Sequence, residues 1–348
     1  MNILITTGAR RIDFIEFFKN ALKEAGISGN IVVVDSDYNA PSLQAADYAY
    51  VVPKQADDDY IDELLKVCKE REVDVLVPLN DLEAPKIAAS KQLFTDKGIT
   101  VLAPDQDIVD KVRDKGKYTQ LLGPFGLKTP KTYFTVEETE KAIKNNEVDF
   151  PFIVKPRNGS GSIAMEIVHN LDQLNSAYKL AVQRLEESVL DTVTDKNSED
   201  NVLIQEVIEG EKYSLDVVND QNGNYLTSFA RKQLAMRGGD IDKTITSNNE
   251  DILSLGRKLG ENLKHEGYLN TDVFYDGKEY YVIDINPRFG GGYAFSHAAG
   301  ANIPAAYIAS LAGKEIKQEW LESTPDVELA RYDVVTQIDE TKVKYKNS

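Results

Sequence analysis

The sequence predicts an α/β domain followed by a larger α+β domain. Two patterns support this division. In about the first 110 residues, short apolar strands alternate with amphipathic helices, which is the arrangement of parallel βαβ units with right-handed crossovers. Further along, strands follow one another as hairpins, and the clearest hairpin spans residues 271–286 around an Asp276-Gly277 turn.

The N-terminal domain is predicted to be a small doubly wound, Rossmann-like sheet. Its first helix is indicated by Ile12, Ile15, Phe18 and Leu22, which fall on one helical face. Strands are expected at residues 2–7, 31–34, 73–77 and 99–103, and helices at 12–22, 43–46, 60–68 and 87–94. Because parallel strands share their carboxyl ends, one edge of this sheet is the expected ligand-binding edge.

That edge carries polar residues but lacks a dinucleotide fingerprint. The first turn has a single glycine, Gly8, whereas an NAD site needs glycines for the turn, the pyrophosphate and the helix packing. NAD binding is therefore not expected. Arg10, Arg11 and the Asn80-Asp81 pair stand at strand ends and are candidates for the site of the acceptor, meaning the substrate other than a nucleotide.

The second domain is predicted from hairpins and from residues that end helices. Gly123 and Pro124 end a helix predicted over 108–122, and Thr135 with Glu138 forms a capping-box pattern for the next helix. The other strands are expected at 151–156, 163–168, 202–207, 212–218, 225–232, 271–275, 280–286 and 331–338, with helices at 171–190, 253–263 and 305–311. We expect the last ten residues to be frayed.

The hairpin over residues 271–286 carries a candidate metal site. Asp284 and Asn286 are two apart on one strand and share a face, which Asp272 is expected to join from the partner strand. Their oxygens suit Mg²⁺, which fills the rest of its octahedron with water and substrate phosphates. Arg288 follows the strand, and a positive charge beside the metal suits a transferring phosphoryl group.

A second candidate site lies around Lys155. This lysine is on the strand over 151–156, and the glycine- and serine-rich loop 157–162 follows it. Backbone N–H groups of such a loop can cover a polyphosphate. The loop differs from a Walker motif, since no GK[ST] opens a helix here, and many hairpins carry glycine and serine in the same place.

The bulk composition argues against several classes of partner. The chain has 348 residues and a net charge of −17, which disfavours nucleic acid because duplex affinity depends on phosphate neutralisation by Lys and Arg. It also disfavours anionic membrane surfaces, and no apolar run is long enough to span a bilayer. The N-terminus does not resemble a signal peptide, and Cys68 is the single cysteine, so no internal disulfide is expected. These features favour a cytoplasmic protein.

Three signals occur in a fixed order along the chain. They are the strand lysine with its loop, the segment from Gln205-Glu206 through EGEKYSLDV, and the run YVIDINPRFGGG over 281–292. Together they resemble the ATP-grasp superfamily, in particular single-unit proteins similar to one half of the carbamoyl-phosphate synthase large subunit. The resemblance implies a Rossmann-like pre-ATP-grasp domain over 1–110, an ATP-grasp domain over 111–315 with a small lobe at about 125–207, and a C-terminal extension over 316–348.

The resemblance also implies roles for individual residues. It assigns nucleotide binding to Lys115 (with Lys117 as a second candidate), Lys155, Asn158, Gly159, Ser160, Gly161, Ser162, Glu206, Val207 and Ile208. It assigns the metal to Asp272, Asp284 and Asn286. The expected catalytic residues are Lys155 and Arg288, together with Arg231 and Arg237, whose charge favours an anionic acceptor.

Two positions depart from the family pattern. Asp284 stands where the family usually has Glu, so the carboxylate is one methylene shorter and the ligation geometry can differ. Lys212 stands where the family usually has the acid that binds ribose, and Glu209 and Glu211 are the nearby substitutes.

The resemblance implies a ligase that uses ATP and Mg²⁺, or Mn²⁺ in its place. A small carboxylate, for example of an amino acid or a peptide, is converted to an acyl phosphate, and an amine or a related nucleophile then displaces phosphate. Two alternatives stay open. One is phosphorylation of bicarbonate or carbamate, and the other is ATP binding for regulation without catalysis. Dimers are common among such relatives, so a homodimer is a further expectation.

Overall fold

The computed structural model of the protein describes residues 1–158, 165–186 and 201–345. Within this part of the chain, three sheets form, one each in an N-terminal domain, a small lobe and a large lobe. Gly159, Ser160, Gly161 and Ser162 of the predicted phosphate loop lie outside the described residues. Among the helices that the structure describes, none has both the length and the hydropathy needed to cross a membrane.

The N-terminal domain is a parallel sheet with helices on both faces. Its strands are β1 (Asn2–Thr6), β2 (Ile31–Asp35), β3 (Tyr48–Val51), β4 (Val73–Pro78) and β5 (Thr100–Val101). Its helices are α1 (Ile12–Glu24), α2 (Pro41–Ala45), α3 (Tyr60–Glu70), α4 (Ala84–Ala89) and α5 (Lys91–Thr95). The order β3-β2-β1-β4-β5, with parallel pairing throughout, confirms the predicted doubly wound arrangement. Sequence reasoning missed β3, and the helix predicted over 87–94 is two short helices.

The small lobe is an antiparallel sheet covered by helices on one face. Its strands are β6 (Thr132–Tyr133), β7 (Phe152–Pro156), β8 (Glu166–Val168) and β9 (Val202–Glu206), and its helices are α8 (Val136–Lys144) and α9 (Leu171–Glu186). The predicted cap of α8 is confirmed, since the Thr135 hydroxyl accepts a hydrogen bond from the Glu138 N–H at 3.1 Å. Leu174 and Ala181 of α9 are buried against Phe152 and Val154 of the sheet.

The large lobe is an antiparallel sheet in the order β14-β13-β10-β11-β12-β15. These strands are β10 (Glu211–Asn219), β11 (Tyr225–Arg237), β12 (Asp240–Ser247), β13 (Tyr268–Tyr275), β14 (Tyr280–Asn286) and β15 (Glu328–Ala330). The helices around it are α6 (Gln106–Arg113), α7 (Tyr118–Leu122), α10 (Glu250–Leu263), α11 (Tyr293–Ala298) and α12 (Ile303–Leu311). Leu255 and Leu259 of α10 pack against Leu215 and Val217 of β10, which leaves the opposite face of the sheet for the pocket.

Four elements of this lobe differ from the prediction. The helix predicted over 108–122 is interrupted, because the Asp114 carboxylate accepts from the Gly116 N–H at 3.1 Å and starts a new turn at Lys115. Strand β11 is longer than predicted, and β12, which follows the Gly238-Gly239 turn, was missed. Helix α11 was also missed.

The C-terminal residues add one strand to each of two sheets. Besides β15, β16 (Val343–Tyr345) pairs in parallel with β3 at the edge of the N-terminal sheet. The prediction of a frayed C-terminus is therefore wrong for these residues, because Val343 is buried against that sheet. The strand predicted over 331–338 is also wrong. Residues 331–339 have no regular secondary structure, and Val335 is 97% exposed. The apolar residues of this segment therefore do not pack against a sheet.

An apolar core joins the N-terminal domain to the large lobe. Helix α1 packs on α12, and Phe14 of α1 meets Phe289 edge-on with ring centroids 5.5 Å apart. Phe289 in turn stacks on Tyr268 of β13 at 4.1 Å. Because these side chains are buried, the carboxyl ends of the N-terminal strands are held against the end of β14.

Candidate active site

A cavity of about 760 Å³ lies between the three parts. All three parts contribute to its wall, which places it at the carboxyl edge of the N-terminal sheet, as expected for an open α/β sheet. Its polar wall includes Arg11, Asn80, Asp81, Lys115, Lys155, Gln205, Glu206, Lys212, Gln233, Asn270, Asp272, Asp284, Asn286 and Arg288. Its apolar wall includes Ile153, Ile167, Val207, Ile208, Phe274 and Ile283.

The predicted hairpin places its polar residues together. Asp272 of β13 lies directly opposite Asp284 of β14, and Asn270 lies opposite Asn286 in the same antiparallel pair. Alternation along the strands sends these side chains to the pocket face and buries Ile285 on the other face. The shared face predicted for Asp272, Asp284 and Asn286 is therefore confirmed. Asn270 was missed, although it lies two residues before Asp272 and the same period could have identified it.

Lysine side chains approach both carboxylates of the hairpin. Lys115 Nζ lies 2.9 Å from Asp284 Oδ1, and Lys212 Nζ lies 2.9 Å from Asp272 Oδ2. Lys115 reaches the pocket because the break between α6 and α7 turns it inward. Lys117, the second candidate for this role, is 62% exposed and pairs with Asp114 outside the pocket wall.

Lys155 is the most deeply buried of the pocket lysines. Its Nζ donates a hydrogen bond to Gln205 Oε1 at 2.7 Å, and the residue is 4% exposed. Burial lowers the pKa of Lys155 to about 8, and repulsion by Lys115 adds to the effect while Asp284 and Asp272 oppose it. The pocket thus holds an amine whose charge an anionic ligand would stabilise.

The three residues at 206–208 that were assigned to nucleotide binding lie where β9 leaves the small lobe. Glu206, Val207 and Ile208 all line the cavity beside the apolar wall. Glu206 is fixed by Lys131, whose backbone N–H donates to Glu206 Oε1 at 2.8 Å. Asn158 belongs to the predicted loop and is its last described residue, and its carbonyl accepts a hydrogen bond from Arg113 at 3.3 Å. An apolar slot with backbone groups along one side can hold a planar base.

The candidate acids for ribose lie elsewhere. Glu211 pairs with Lys232 and accepts a hydrogen bond from the Tyr213 hydroxyl at 2.9 Å, and it does not line the cavity. Glu209 is exposed and is also absent from the wall. The positions of both residues therefore do not support the expected ribose role.

Arg288 lies at the opposite end of the pocket from the apolar slot. Its guanidinium forms an ion pair with Asp81 from the end of β4 and donates to the Phe289 carbonyl at 2.8 Å. Burial alone would lower the pKa of Arg288, but the facing Asp81 carboxylate, together with Asp284 and Asp240, outweighs burial and the net pKa is raised. Arg113, which sequence reasoning missed, donates to the Asp81 carbonyl at 2.6 Å and fixes this strand end.

The structure does not bring Arg231 and Arg237 into the pocket, which corrects the expectation that they act on substrate. Arg231 is completely buried, where it pairs with Asp216 and donates to the Ser214 hydroxyl at 3.1 Å. Arg237 is half exposed at the β11–β12 turn and pairs with Asp333 at 2.6 Å. Their charges are neutralised by carboxylates of the protein itself, so neither arginine is available to bind an anionic substrate.

The donor set of the hairpin fits Mg²⁺ in its nucleotide-bound form. In the described part of the chain, no group of three or more His, Cys, Asp or Glu side chains is arranged to hold a metal ion. Asp272, Asp284 and Asn286 supply two carboxylates and one amide, which is too few for an all-protein cage. Mg²⁺ commonly uses one or two carboxylates and takes its other ligands from water and phosphates.

Two family profiles match this sequence. Residues 3–102 match the PylC-like N-terminal domain, and residues 112–292 match the ATP-grasp domain, which is just over half of the chain. The chain belongs to the ATP-grasp family. The ATP-grasp match runs from before Lys115 to beyond Arg288, so it includes the carboxylate hairpin and the pocket lysines.

Curated relatives of this ATP-grasp protein are longer. The carbamoyl phosphate synthase large chain of Clostridium acetobutylicum is 25% identical over 311 residues, which cover 86% of this chain and 27% of that protein. The carbamoyl phosphate synthase large chain, C-terminal section, of Methanopyrus kandleri is 27% identical over 314 residues, covering 86% of this chain and 54% of that protein. The ATP-grasp protein therefore spans about a quarter of the first relative and about half of the second.

Solved structures share the fold of this ATP-grasp protein. The biotin carboxylase domain of the 2-oxoglutarate carboxylase from Hydrogenobacter thermophilus, in complex with MgADP, ADP and bicarbonate, has a TM-score of 0.74 at 20% identity, covering 92% of this chain and 72% of that one. The N5-carboxyaminoimidazole synthetase of Staphylococcus aureus, complexed with ADP, has a TM-score of 0.68 at 19% identity, covering 91% and 78%. These values confirm the predicted architecture of a Rossmann-like domain followed by an ATP-grasp domain.

Proposed function

We propose that this protein is an ATP-dependent ligase that joins a carboxylate to an amine, or to a related nucleophile, through an acyl phosphate. The observation that carries the proposal is the combination of Asp272 and Asp284 facing Lys115 and Lys155 in one pocket, with Arg288 at its far end. Carboxylates and cations in this arrangement suit a metal-bound polyphosphate whose terminal phosphoryl group is transferred. Membership of the ATP-grasp family supports ATP as the nucleotide that binds in this pocket.

The reaction balances in two steps. An oxygen of the substrate carboxylate attacks the γ-phosphorus of ATP, the bond from phosphorus to the bridging oxygen breaks, and ADP leaves. The amine nitrogen then attacks the acyl carbon, inorganic phosphate leaves with the C–O electron pair, and the nitrogen releases a proton. ATP is needed because a carboxylate is a poor acylating agent, whereas its mixed anhydride with phosphate has a good leaving group.

The residues of the chain supply position and charge for this chemistry. The bound Mg²⁺ would neutralise phosphate charge, and Asp272, Asp284 and Asn286 are the residues that would hold it. Lys155 and Lys115 place positive charge beside the carboxylate face, and Arg288 places it toward the N-terminal domain. Fixed charges in a buried site stabilise a developing negative charge without reorganisation.

A second candidate is phosphorylation of bicarbonate or carbamate. It is favoured by the relatives that are carbamoyl phosphate synthase chains and by the bicarbonate in the complex from Hydrogenobacter thermophilus. Both candidates begin with attack of a carboxylate-type oxygen on ATP. They differ in the size of the acceptor, and a cavity of about 760 Å³ leaves room for more than bicarbonate.

The test is nucleotide turnover with Mg²⁺ and defined substrate pools. Pooled amino acids and other small carboxylates, each with and without amines, are compared with bicarbonate alone. ADP and phosphate that appear only with a carboxylate pool support the ligase, and turnover with bicarbonate alone supports the second candidate. AMP and pyrophosphate would overturn acyl-phosphate chemistry. Tight ATP binding without turnover in any pool would favour a regulatory nucleotide-binding protein.

Three further parts of the proposal accompany the reaction. Mn²⁺ can replace Mg²⁺, because it accepts the same oxygen ligands. The ATP requirement supports a cytoplasmic location. A homodimer is proposed because the biotin carboxylase domain above is described as a dimer, and light scattering of the purified chain would test it.

A further inference from the structure

Arg11 is a half-buried cation at the end of the pocket near the N-terminal domain. It stands at the start of α1 and lines the same cavity as Lys155 and Arg288. Its Nη1 atom is closed off from solvent and has no hydrogen-bond partner among the described residues. Burial lowers the pKa of the guanidinium, and the positive charge of Arg288 lowers it further. A buried charged donor without a partner is costly, so the fold alone does not explain this arrangement.

Neighbouring arginines have partners that Arg11 lacks. Arg288 pairs with Asp81, Arg331 donates to the Gly291 carbonyl at 2.7 Å, and Arg10 lies 3.7 Å from Asp240. In the described part of the chain, no carboxylate forms an ion pair with Arg11, and the Phe14 ring lies 5.7 Å from its Cζ. Asp240 and Asp13 lie close enough to favour the charge of Arg11, but neither forms an ion pair with it among the described residues.

The glycine run after β14 confines Arg11. A Cβ atom at position 291 would lie 2.7 Å from Arg11 Nη1 and 3.0 Å from Nη2, so glycine at this position leaves room for the guanidinium. The guanidinium is thereby enclosed between α1 and the glycine run. An enclosed arginine loses little conformational freedom when it binds an anion, which favours tight binding.

Asp81 offers a second unsatisfied group in the same cavity. Its Oδ2 pairs with Arg288, whereas its Oδ1 is closed off from solvent and has no hydrogen-bond partner among the described residues. A carboxylate oxygen accepts hydrogen bonds, so Oδ1 would be satisfied by an N–H donor of a ligand. The cavity thus presents one unpaired donor and one unpaired acceptor, and Arg288 interacts with both residues.

We propose that Arg11 and Asp81 anchor the acceptor, Arg11 through an anionic group and Asp81 through an ammonium group whose N–H it accepts. The acceptor is then an amino acid or a compound with the same pair of groups. This inference rests on the proposed function for the reaction that the acceptor undergoes, but binding of the acceptor can be tested without turnover.

The experiment compares three pools of compounds as probes. They are the twenty L-amino acids, the corresponding amino acid amides, which lack the carboxylate, and the N-acetyl amino acids, which lack the ammonium group. Each pool is added to the wild-type chain, to Arg11→Gln and Arg11→Met, and to the matched control Arg10→Gln. The Arg10 side chain is 83% exposed and does not line the cavity, so its position does not support the acceptor role expected from the sequence. The readouts are the shift in Tm without nucleotide and ADP release with Mg²⁺ and ATP.

We expect the amino acid pool to raise the Tm of the wild type and of Arg10→Gln. Both Arg11 variants should bind the pool at least about tenfold more weakly, so that a higher concentration is needed for the same Tm shift. The amide pool should have little effect on any variant, and the N-acetyl pool should bind more weakly than the free amino acids. The unliganded Arg11 variants should melt no lower than the wild type, because a charged group with an unpartnered buried donor has been removed.

Other outcomes overturn the inference. Equal Tm shifts in the Arg11 variants and the wild type, or no Tm shift of the wild type with the amino acid pool, would show that Arg11 does not bind an anionic group of the acceptor. Equal binding of N-acetyl and free amino acids would remove the role of Asp81. Lower melting of both unliganded Arg11 variants would make Arg11 a structural residue. A wild type whose Tm shifts but which never releases ADP would instead overturn the proposed function and leave the acceptor site standing.

Discussion

Lys155 is a buried amine whose protonation decides how well it can bind phosphate. Its pKa is lowered from 10.5 to about 8, mainly by burial. Between these two values the folded protein binds fewer protons than the unfolded chain, so the free energy of unfolding rises with pH across this window. Phosphate binding has the opposite dependence, because it needs the protonated amine.

We therefore expect ADP affinity to fall as the pH rises above about 8. Lys155→Met should weaken ADP binding by about 10- to 100-fold, since a hydrogen bond to a charged group contributes about 1.5–3 kcal/mol. The variant should also lose the decline above pH 8. Calorimetric titration of ADP at several pH values measures both effects. Lys117→Met is the control, because Lys117 lies outside the pocket, and equal losses in the two variants would contradict the assignment.

Asp284 is the carboxylate on which the metal assignment depends. Asp284→Asn keeps the shape of the side chain but removes the charge that would hold Mg²⁺ and that now pairs with Lys115. We expect kcat for ADP formation to fall at least about 100-fold, because charge stabilisation in the transition state is the main protein contribution to phosphoryl transfer. Steady-state kinetics over a range of Mg²⁺ concentrations checks this result.

The matched control is Glu279→Gln, which removes a carboxylate from the turn of the same hairpin. Glu279 is 52% exposed and pairs with Lys128 outside the pocket, so its loss should leave kcat unchanged. Full turnover by Asp284→Asn at ordinary Mg²⁺ concentrations would refute the metal assignment.

At the scale of single elements, the β13–β14 hairpin could be predicted because the residues that determine its register lie within the hairpin itself. The period of two and the Asp276-Gly277 turn together determine which residues face each other, and Asp272 indeed lies opposite Asp284. Lys155 could be placed in the same way from its strand. The choice between Lys115 and Lys117 could not, because it depends on the turn that Asp114 starts inside a run that appears continuously helical.

Long-range pairing explains the other misses. Arg231 looks like a free positive charge in the sequence, but its partner Asp216 is on the neighbouring strand β10 and cancels it. Val343 looks terminal and exposed, yet it pairs with β3 almost 300 residues earlier in the chain. No local periodicity contains such contacts. Conversely, Arg11 was placed correctly at the pocket because strand ends of a parallel sheet share one edge.

The glycine run over 290–292, which follows β14, packs closely against neighbouring side chains. A Cβ at position 290 would lie 2.3 Å from the side chain of Asn270, which is buried and bonded to Ser214 and Asp216. Gly290→Ala should lower the free energy of unfolding by about 1–3 kcal/mol, the usual cost of overpacking. Gly291→Ala should be milder, because the crowded group is the end of the Arg11 side chain.

Urea unfolding of both variants measures these effects, and Gly123→Ala is the control, since nothing lies within 4 Å of a Cβ at that position. None of the three glycines has a positive φ, so backbone strain does not confuse the comparison. If Gly290→Ala were as stable as Gly123→Ala, the contact with Asn270 would not constrain this element.

At the scale of the whole molecule, the pocket exists because three parts of the chain meet. Arg288 follows β14 of the large lobe, and Asp81 follows β4 of the N-terminal sheet. Their ion pair therefore connects the large lobe to the N-terminal domain at the pocket itself. The aromatic core around Phe14 and Phe289 does the same beneath it. The N-terminal domain is thus part of the active site, and its stability affects the geometry for the acceptor.

The C-terminal strand β16 is the outermost support of that domain. It covers the edge of β3, and exposed strand edges promote association between molecules. Val343 is buried there, and a buried valine side chain contributes about 1.5–3 kcal/mol. Val343→Asp should therefore lower the free energy of unfolding by at least about 2 kcal/mol and increase aggregation.

Val335→Asp is the matched control, because Val335 is 97% exposed, and its free energy of unfolding should stay within about 0.5 kcal/mol of the wild type. Urea unfolding and light scattering compare the two variants. ADP affinity, measured below the unfolding transition, should be unchanged in both, since neither side chain lines the cavity. If Val343→Asp were as stable and as monodisperse as Val335→Asp, β16 would not support the N-terminal sheet, and the acceptor side of the pocket would not depend on the C-terminus.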